Sequence, residues 1–442
     1  MNTTDTHCGS GLWLQTFLAD ERFWPAEAES ISQTGLTVAQ LESLVSKHLA
    51  LLGTASGRMI ADKLGLSFRI VEEILAMLRT RQSVVHSGAA PFNDYYYILT
   101  EEGHNRSKAY QQACAYAGPA PVPLTDYVVA MEAQGIRGEA PSDKDLAEAF
   151  SDISIEHALI DQIGPAVNAA AGMFLYGAPG NGKSTLAKRI PVCFGQEIWT
   201  PRALIDDDQI IKVFDACFHH QVADRDDGIL KGRDYDRRWV RIHRPTVCVG
   251  GELTMEDLEV RYDPVNHVSE APLQVKANGG CLLIDDFGRQ RIQPAELLNR
   301  WIIPLENGYD FLRLPTGKKI QVPFELLIIF STNLEPRDLV DEAFLRRISH
   351  KIEVLGPSEE EFSRLFECCC EQFGCEYRPA MVRYLVENYY RPCGRPMRRC
   401  HPRDLLKHIR SYCRYKRVPF EVTAETIDRV AQAYFGPLAA RQ

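Results

Sequence analysis

The chain has 442 residues, 45% hydrophobic and 25% charged, ordinary values for a globular protein of about three domains with a sizeable core. A formal net charge of -9 excludes a global pull toward nucleic acid or an anionic membrane, so either partner would need a local basic face. No apolar run approaches the ~18 residues that span a bilayer, and the start MNTTDTHCGS lacks the positive region of a secretory signal, so a cytoplasmic protein with no membrane contact is expected.

Thirteen cysteines, an odd number scattered over the whole length and including Cys248 and Cys281 in expected buried strands, fit reduced thiols rather than a disulfide framework. Cys368, Cys369, Cys370 and Cys375, with Cys393, Cys400 and His401 downstream, lack two clean CxxC pairs. Adjacent cysteines on a helix point in different directions, so packing rather than zinc is expected there.

Residues 1–35 show weak periodicity and read as an irregular arm. From Gly35, apolar residues recur at three- and four-residue spacing in LTVAQLESLVSKHLALLG, SGRMIADKLGL and SFRIVEEILAMLRTRQ. Two β-rich runs around a Gly/Pro/Asn turn follow in SVVHSGAAPFNDYYYILTEEG. Three helices and a hairpin are the order of a winged helix, assigned to 36–117. Across 36–110, eight bases face seven acids, and Glu72 and Glu73 sit at the start of the helix that would read DNA. A protein client or adaptor is therefore the favoured partner of this domain, with nucleic acid possible but second.

The alternating prolines of GPAPVPL, Gly118–Leu124, predict a stiff extended linker, and with a short helical region they fill 118–150. In MFLYGAPGNGKST, a buried strand from Met173 runs into a tight loop and then a helix, the context that the G-x-x-x-x-G-K-[ST] pattern requires. Gly177, Ala178, Pro179, Gly180, Asn181 and Gly182 would wrap phosphates with backbone N–H groups. Lys183 would reach the outer phosphates, and Ser184, followed by Thr185, would ligate Mg²⁺. ATP and Mg²⁺ are the expected cofactors.

Ile205–Asp263 is longer than a compact core needs and reads as an elaboration around a strand. Its Cys217, His219 and His220 are expected to be surface and core residues rather than a metal set. CLLIDDFGRQ then gives a short strand buried on both faces, ending in Asp285 and Asp286. Asp285 is the expected Mg²⁺ acid, and Asp286 the residue that orients and deprotonates the attacking water.

Here the chain resembles the AAA+ ATPases, in which the position of Asp286 is usually glutamate, one methylene longer. The resemblance covers about residues 150–436. LLIIFSTNL looks like the sensor 1 strand, which would give Asn333 contact with the γ-phosphate or the lytic water. DEAFLRRISHKIEV resembles the arginine-finger helix, which makes Arg346 or Arg347 a group acting on a neighbouring subunit and implies a ring, commonly a hexamer. After GPSEEEF, with a capping box from Ser358 to Glu361, the rest is similar to the helical lid, with Arg403 in CHPRDLLKHI at the sensor 2 position. A hairpin across PTGK just before the sensor strand resembles the pre-sensor-1 subgroup of MoxR-type and magnesium-chelatase ATPases. No GAFTGA-like loop of the enhancer-binding activators is present, and no von Willebrand-type domain.

The expected fold class is α/β: a P-loop AAA+ core with a parallel sheet over 151–355, a helical lid over 356–442, and the winged-helix-like α+β domain before them. The expected function is ATP hydrolysis that remodels or assembles a protein client as an oligomeric ring. The alternatives are a DNA-associated ATPase using its winged helix on duplex, or a nucleotide-gated scaffold with little hydrolysis.

Overall fold

The computed structural model describes residues 23–436 apart from 154, 171, 196, 224–234 and 340–341. Most of the expected N-terminal arm and the centre of DRDDGILKGRDYDRR lie outside the described residues.

Three helices, Val38–Leu52, Gly57–Leu64 and Phe68–Thr80, open the structure. The first starts because Thr37 and Gln40 exchange side-chain-to-backbone bonds, satisfying two otherwise orphaned donors, and it ends at Gly53. Leu41, Leu44, Val45 and Leu49 form its buried stripe. The hairpin Val84–Ala90 and Asp94–Leu99 adds to the short strand Ala55–Ser56 in a three-stranded sheet. Buried Asp94 stitches hairpin to helix by accepting from the Gly57 and Arg58 amides.

Gly118–Leu124 bends at Gly118 and Pro119, pairs as a strand at Val122–Pro123 and enters a helix at Leu124, so it is not a free spacer. The Ala120 amide donates to Leu64 O, and Val122–Pro123 pairs in parallel with Leu204–Ile205. Buried Ala120 and Val122 supply the reason, since an apolar strand beside an open sheet edge gains both burial and hydrogen bonds. The elaboration after the P-loop supplies that edge. Its sheet runs Arg261–Asp263, Val268–Glu270, Gln209–Lys212, Ala203–Asp206, Val122–Pro123. The hairpin in its centre turns at Asp207 and Asp208, both at positive φ, the geometry of a two-residue turn that follows strand twist. Lys318 reaches Asp206 and Asp207 at 2.7 Å each, and Gln40 reaches Asp208 at 2.6 Å, so the acidic turn is tied down.

This sheet is shared. One set of its residues, Ala203, Ile205, Ile210 and Val268, packs in the core of the first three helices. Another, Leu204 and Ile211, packs with Tyr127, Trp199 and the inner residues Leu312, Ile320 and Val322 of the hairpin Tyr309–Arg313 and Lys319–Pro323. The first three helices, the elaboration and the hairpin Tyr309–Arg313 with Lys319–Pro323 are thus joined by continuous packing.

The second five-stranded sheet is wholly parallel, in the order Thr246–Val249, Cys281–Ile284, Leu327–Thr332, Met173–Tyr176, His350–Glu353. Its three central strands read as apolar runs because both faces are covered, whereas the edge strand His350–Glu353 buries only Ile352. Helices His157–Asn168 and Lys183–Arg189 pack on one side, and Pro294–Asn307 with buried Trp301 packs on the other. Four further helices, Glu359–Phe373, Pro379–Leu385, His401–Lys416 and Ala424–Phe435, close around a separate core. The fold is the α/β class expected, a wholly parallel sheet covered by helices on both faces with a helical unit after it. No helix among the described residues is long and apolar enough to cross a membrane.

Candidate nucleotide site

The buried strand Met173–Tyr176 hands over to a loop in which Gly177, Gly180 and Gly182 all take positive φ. At Gly177 a Cβ would lie 2.7 Å from Val354 O, so only glycine fits between loop and neighbouring strand. The Asn181 amide fixes the loop from the other side by donating to the same carbonyl at 2.9 Å. The helix that begins at Lys183 points its free N–H groups into the loop, the usual arrangement for an anion.

Lys183 Nζ donates to Gly177 O at 2.9 Å, Ala178 O at 3.0 Å and Asn333 Oδ1 at 2.8 Å. Burial pulls its ammonium below the ordinary lysine range, with Asp285 and Asp286 opposing the shift and Arg398 adding to it. Ser184 Oγ donates to Asp285 Oδ2 at 2.7 Å. Asp285 leaves the end of Cys281–Ile284, four residues with no exposed surface. A serine hydroxyl beside a carboxylate is a pair of hard oxygen donors, the ligand chemistry Mg²⁺ takes.

Asp286 follows with φ 51, a left-handed conformation that aspartate and asparagine tolerate better than most side chains. Its Oδ1 accepts from Asn333 Nδ2 at 3.0 Å. The strand carrying Asn333 is locked to this turn, because Phe287 N donates to Ser331 O and Thr332 Oγ1 donates to Phe287 O. Lys183, Asn333 and Asp286, up to 150 residues apart in sequence, form one hydrogen-bonded chain and Ser184 and Asp285 a second, and the two meet where the Asp286 amide donates to Asp285 Oδ1 at 3.1 Å. They line a cleft of about 850 Å³, together with Thr185, Asp152, Arg289 and, from the C-terminal helices, Cys369, Arg399 and Arg403. That volume suits a nucleotide.

The arginines divide. Arg403 lines the cleft and pairs with Asp404 at 3.3 Å. Arg346 lies in a different cleft, with Tyr176, Glu335 and Arg337, and Arg347 pairs with Glu306 at 2.6 Å. Neither is among the residues lining the phosphate-loop cleft of its own chain.

Sequence reasoning missed three groups. Gln290 spans the acidic turn, its Nε2 donating to Asp285 O at 2.9 Å and Asp286 O at 3.2 Å while its Oε1 accepts from Gly288 N at 2.8 Å. Arg398 donates to Pro179 O, and the Cys400 amide donates to Gly180 O at 2.9 Å, so the helical unit rests on the phosphate loop itself. Arg399 lines the cleft while paired with buried Glu361 at 3.2 Å. The visible signal was the cation-rich RPMRRC just ahead of Arg403.

The other metal possibilities do not gather. Among the described residues no cysteine joins a convergent set of three donors; the one such set is Asp143, His157 and Asp161, all exposed. His219 is a buried structural histidine that accepts from the Asp215 amide at Nδ1 and donates through Nε2 to Lys276 O. His401 is buried against Tyr390.

A family profile described as a domain of unknown function (DUF8689) matches residues 358–433, the C-terminal helical unit. No curated relative matches the chain. Among solved structures the chain is similar to two point variants of Thermotoga maritima RuvB, each at 11% identity and TM-score 0.38. One alignment covers 63% of this chain and 69% of the other, the second 64% and 72%. A third, described as the Thermotoga maritima RuvB Holliday junction branch migration motor, aligns at 12% identity and TM-score 0.35 over 63% and 69%.

Proposed function

We propose that the chain is a Mg²⁺-dependent AAA+ ATPase that works as an oligomeric ring on a protein client, coupling nucleotide state to the helical unit resting on its phosphate loop. The observation that carries the reading is the polar group in which Lys183 and Asn333 lead to Asp286, and the Asp286 amide leads on to Asp285 and Ser184. The loop amides and Lys183 bind the phosphates, with Lys183 exchanging two backbone carbonyls for charged oxygens. Ser184 and Asp285 would hold Mg²⁺, which screens the charge of the phosphate oxygens when bound.

Asp286 takes the proton of the attacking water, and Asn333, bonded to it, orients that water. Arg403 and Arg399, from the C-terminal helices, supply charge to the same cleft and make the lid sensitive to what fills it. The departure from the usual glutamate has a local explanation: at φ 51 an aspartate is comfortable, and its short carboxylate already reaches Asn333. This favours hydrolysis over a purely nucleotide-gated scaffold.

The test is paired. Lys183→Ala should abolish ATP binding measured by fluorescent-nucleotide titration, and Asp286→Asn should keep that binding but lose steady-state phosphate release. ATP affinity retained in Lys183→Ala overturns the site, whereas unchanged turnover in Asp286→Asn overturns only the base.

A further inference from the structure

The chain carries a net charge of -9, yet from Arg403 to Arg417 six cations stand against a single acid, Asp404. The helix His401–Lys416 sorts them. Leu405, Leu406, Ile409 and Cys413 face the core of the C-terminal unit, while Arg403, Lys407, Arg410 and Arg414 are exposed. Steps of four, three and four residues put these cations on one stripe, and three residues on Arg417 caps the helix in the left-handed conformation. At 1.5 Å per residue the row is about 20 Å long.

Among the described residues only its first member, Arg403, has an acidic partner. Asp404 is occupied by Arg403 and by the Tyr434 hydroxyl. Among the described residues Lys407, Arg410, Arg414, Lys416 and Arg417 form no ion pair. Arg410 instead lies 4.7 Å over the Phe373 ring, which holds its guanidinium while leaving N–H edges to solvent. Tyr415, between Arg414 and Lys416, is 79% exposed. Like charges three and four residues apart cost a few tenths of a kcal/mol each. A merely solvated helix face would mix its signs.

We propose that this face binds the phosphate backbone of double-stranded nucleic acid, without sequence preference. A duplex presents one charge per ~1.7 Å of axis, so a 20 Å row of cations meets several phosphates at once. A bilayer fits less well, because the apolar side of the helix is already buried in its own core and cannot insert. An acidic protein fits less well because the row has no apolar anchor at its centre. The proposal needs no nucleotide chemistry and stands apart from the ATPase reading.

The test is fluorescence anisotropy of the full-length chain with a labelled random-sequence duplex across a salt titration. The triple variant Lys407→Glu, Arg410→Glu, Arg414→Glu leaves every cleft residue intact. It should bind at least about tenfold more weakly, with a salt slope shallower by about 2 to 3. Its far-UV spectrum should be that of the parent. A Lys407→Arg, Arg410→Lys, Arg414→Lys variant should keep binding, since charge alone is used. The proposal is overturned if the parent fails to bind duplex at low salt, or if the triple variant binds as tightly. It is also overturned if the variant loses only phosphatidylserine-vesicle binding or self-association while duplex affinity stays.

Discussion

Gln290 has no motif to announce it, yet one side-chain amide holds three backbone groups of the turn that presents Asp285 and Asp286. Two of those bonds need a donor and one an acceptor, which an amide alone supplies. The left-handed φ of Asp286 and its bond to Asn333 depend on that turn keeping its shape. Gln290→Ala should therefore lower kcat by on the order of tenfold to a hundredfold with little change in KM for ATP, the loss expected of a misplaced catalytic group. Placed on Asp286→Asn, it should cost nothing more; an additive loss in that double variant would show that Gln290 acts elsewhere. The contrast with Lys183 explains what sequence reveals at this scale. The phosphate loop is a local pattern between a strand and a helix, legible in one line, whereas the role of Gln290 exists only once the chain turns at Asp286.

At the scale of elements, strands buried on both faces and capped helices are legible because each follows from neighbours a few residues away. The contacts between elements are not. The strap Arg398–Cys400 meets Pro179 and Gly180 from about 220 residues on, and no spacing announces it. The helical unit also carries a pH sensitivity. His401 is buried beside Tyr390, and burial, with help from Arg398, pushes its imidazole down to about 4. The unfolded chain would protonate this histidine near 6.5, so it binds more protons than the folded chain between those values. Stability from this group is complete above pH 6.5 and falls as pH drops toward 4, by about 3 kcal/mol in total. Thermal unfolding from pH 7 to 4.5 should show that fall, and His401→Phe should flatten it. An identical pH dependence in the variant would assign the fall to other groups.

For the whole molecule, the sequence marks three successive units, but the structure joins the first to the elaboration after the phosphate loop through Ala203, Ile205, Ile210 and Val268. Composition cannot show this, because an apolar residue carries no label for which core it enters. The position of Arg346 and Arg347 bears on assembly in the same way. Arg347 is held by Glu306, and exposed Arg346 lies in a separate cleft, so neither serves the phosphate loop of its own chain. A catalytic role for either needs a neighbouring copy, and Arg346, unpaired with Glu306 and facing outward, is the better placed. Arg346→Ala subunits should bind ATP normally yet hydrolyse it poorly, because each site lacks its neighbour's charge. Lys183→Ala subunits should be inactive but still offer Arg346 to a neighbour. Mixing the two inactive proteins should restore phosphate release, in proportion to the interfaces that pair an intact loop with an intact arginine. Mixtures that stay inactive while light scattering shows mixed oligomers would remove Arg346 from the reaction. A parent protein that is active while monomeric would remove the ring.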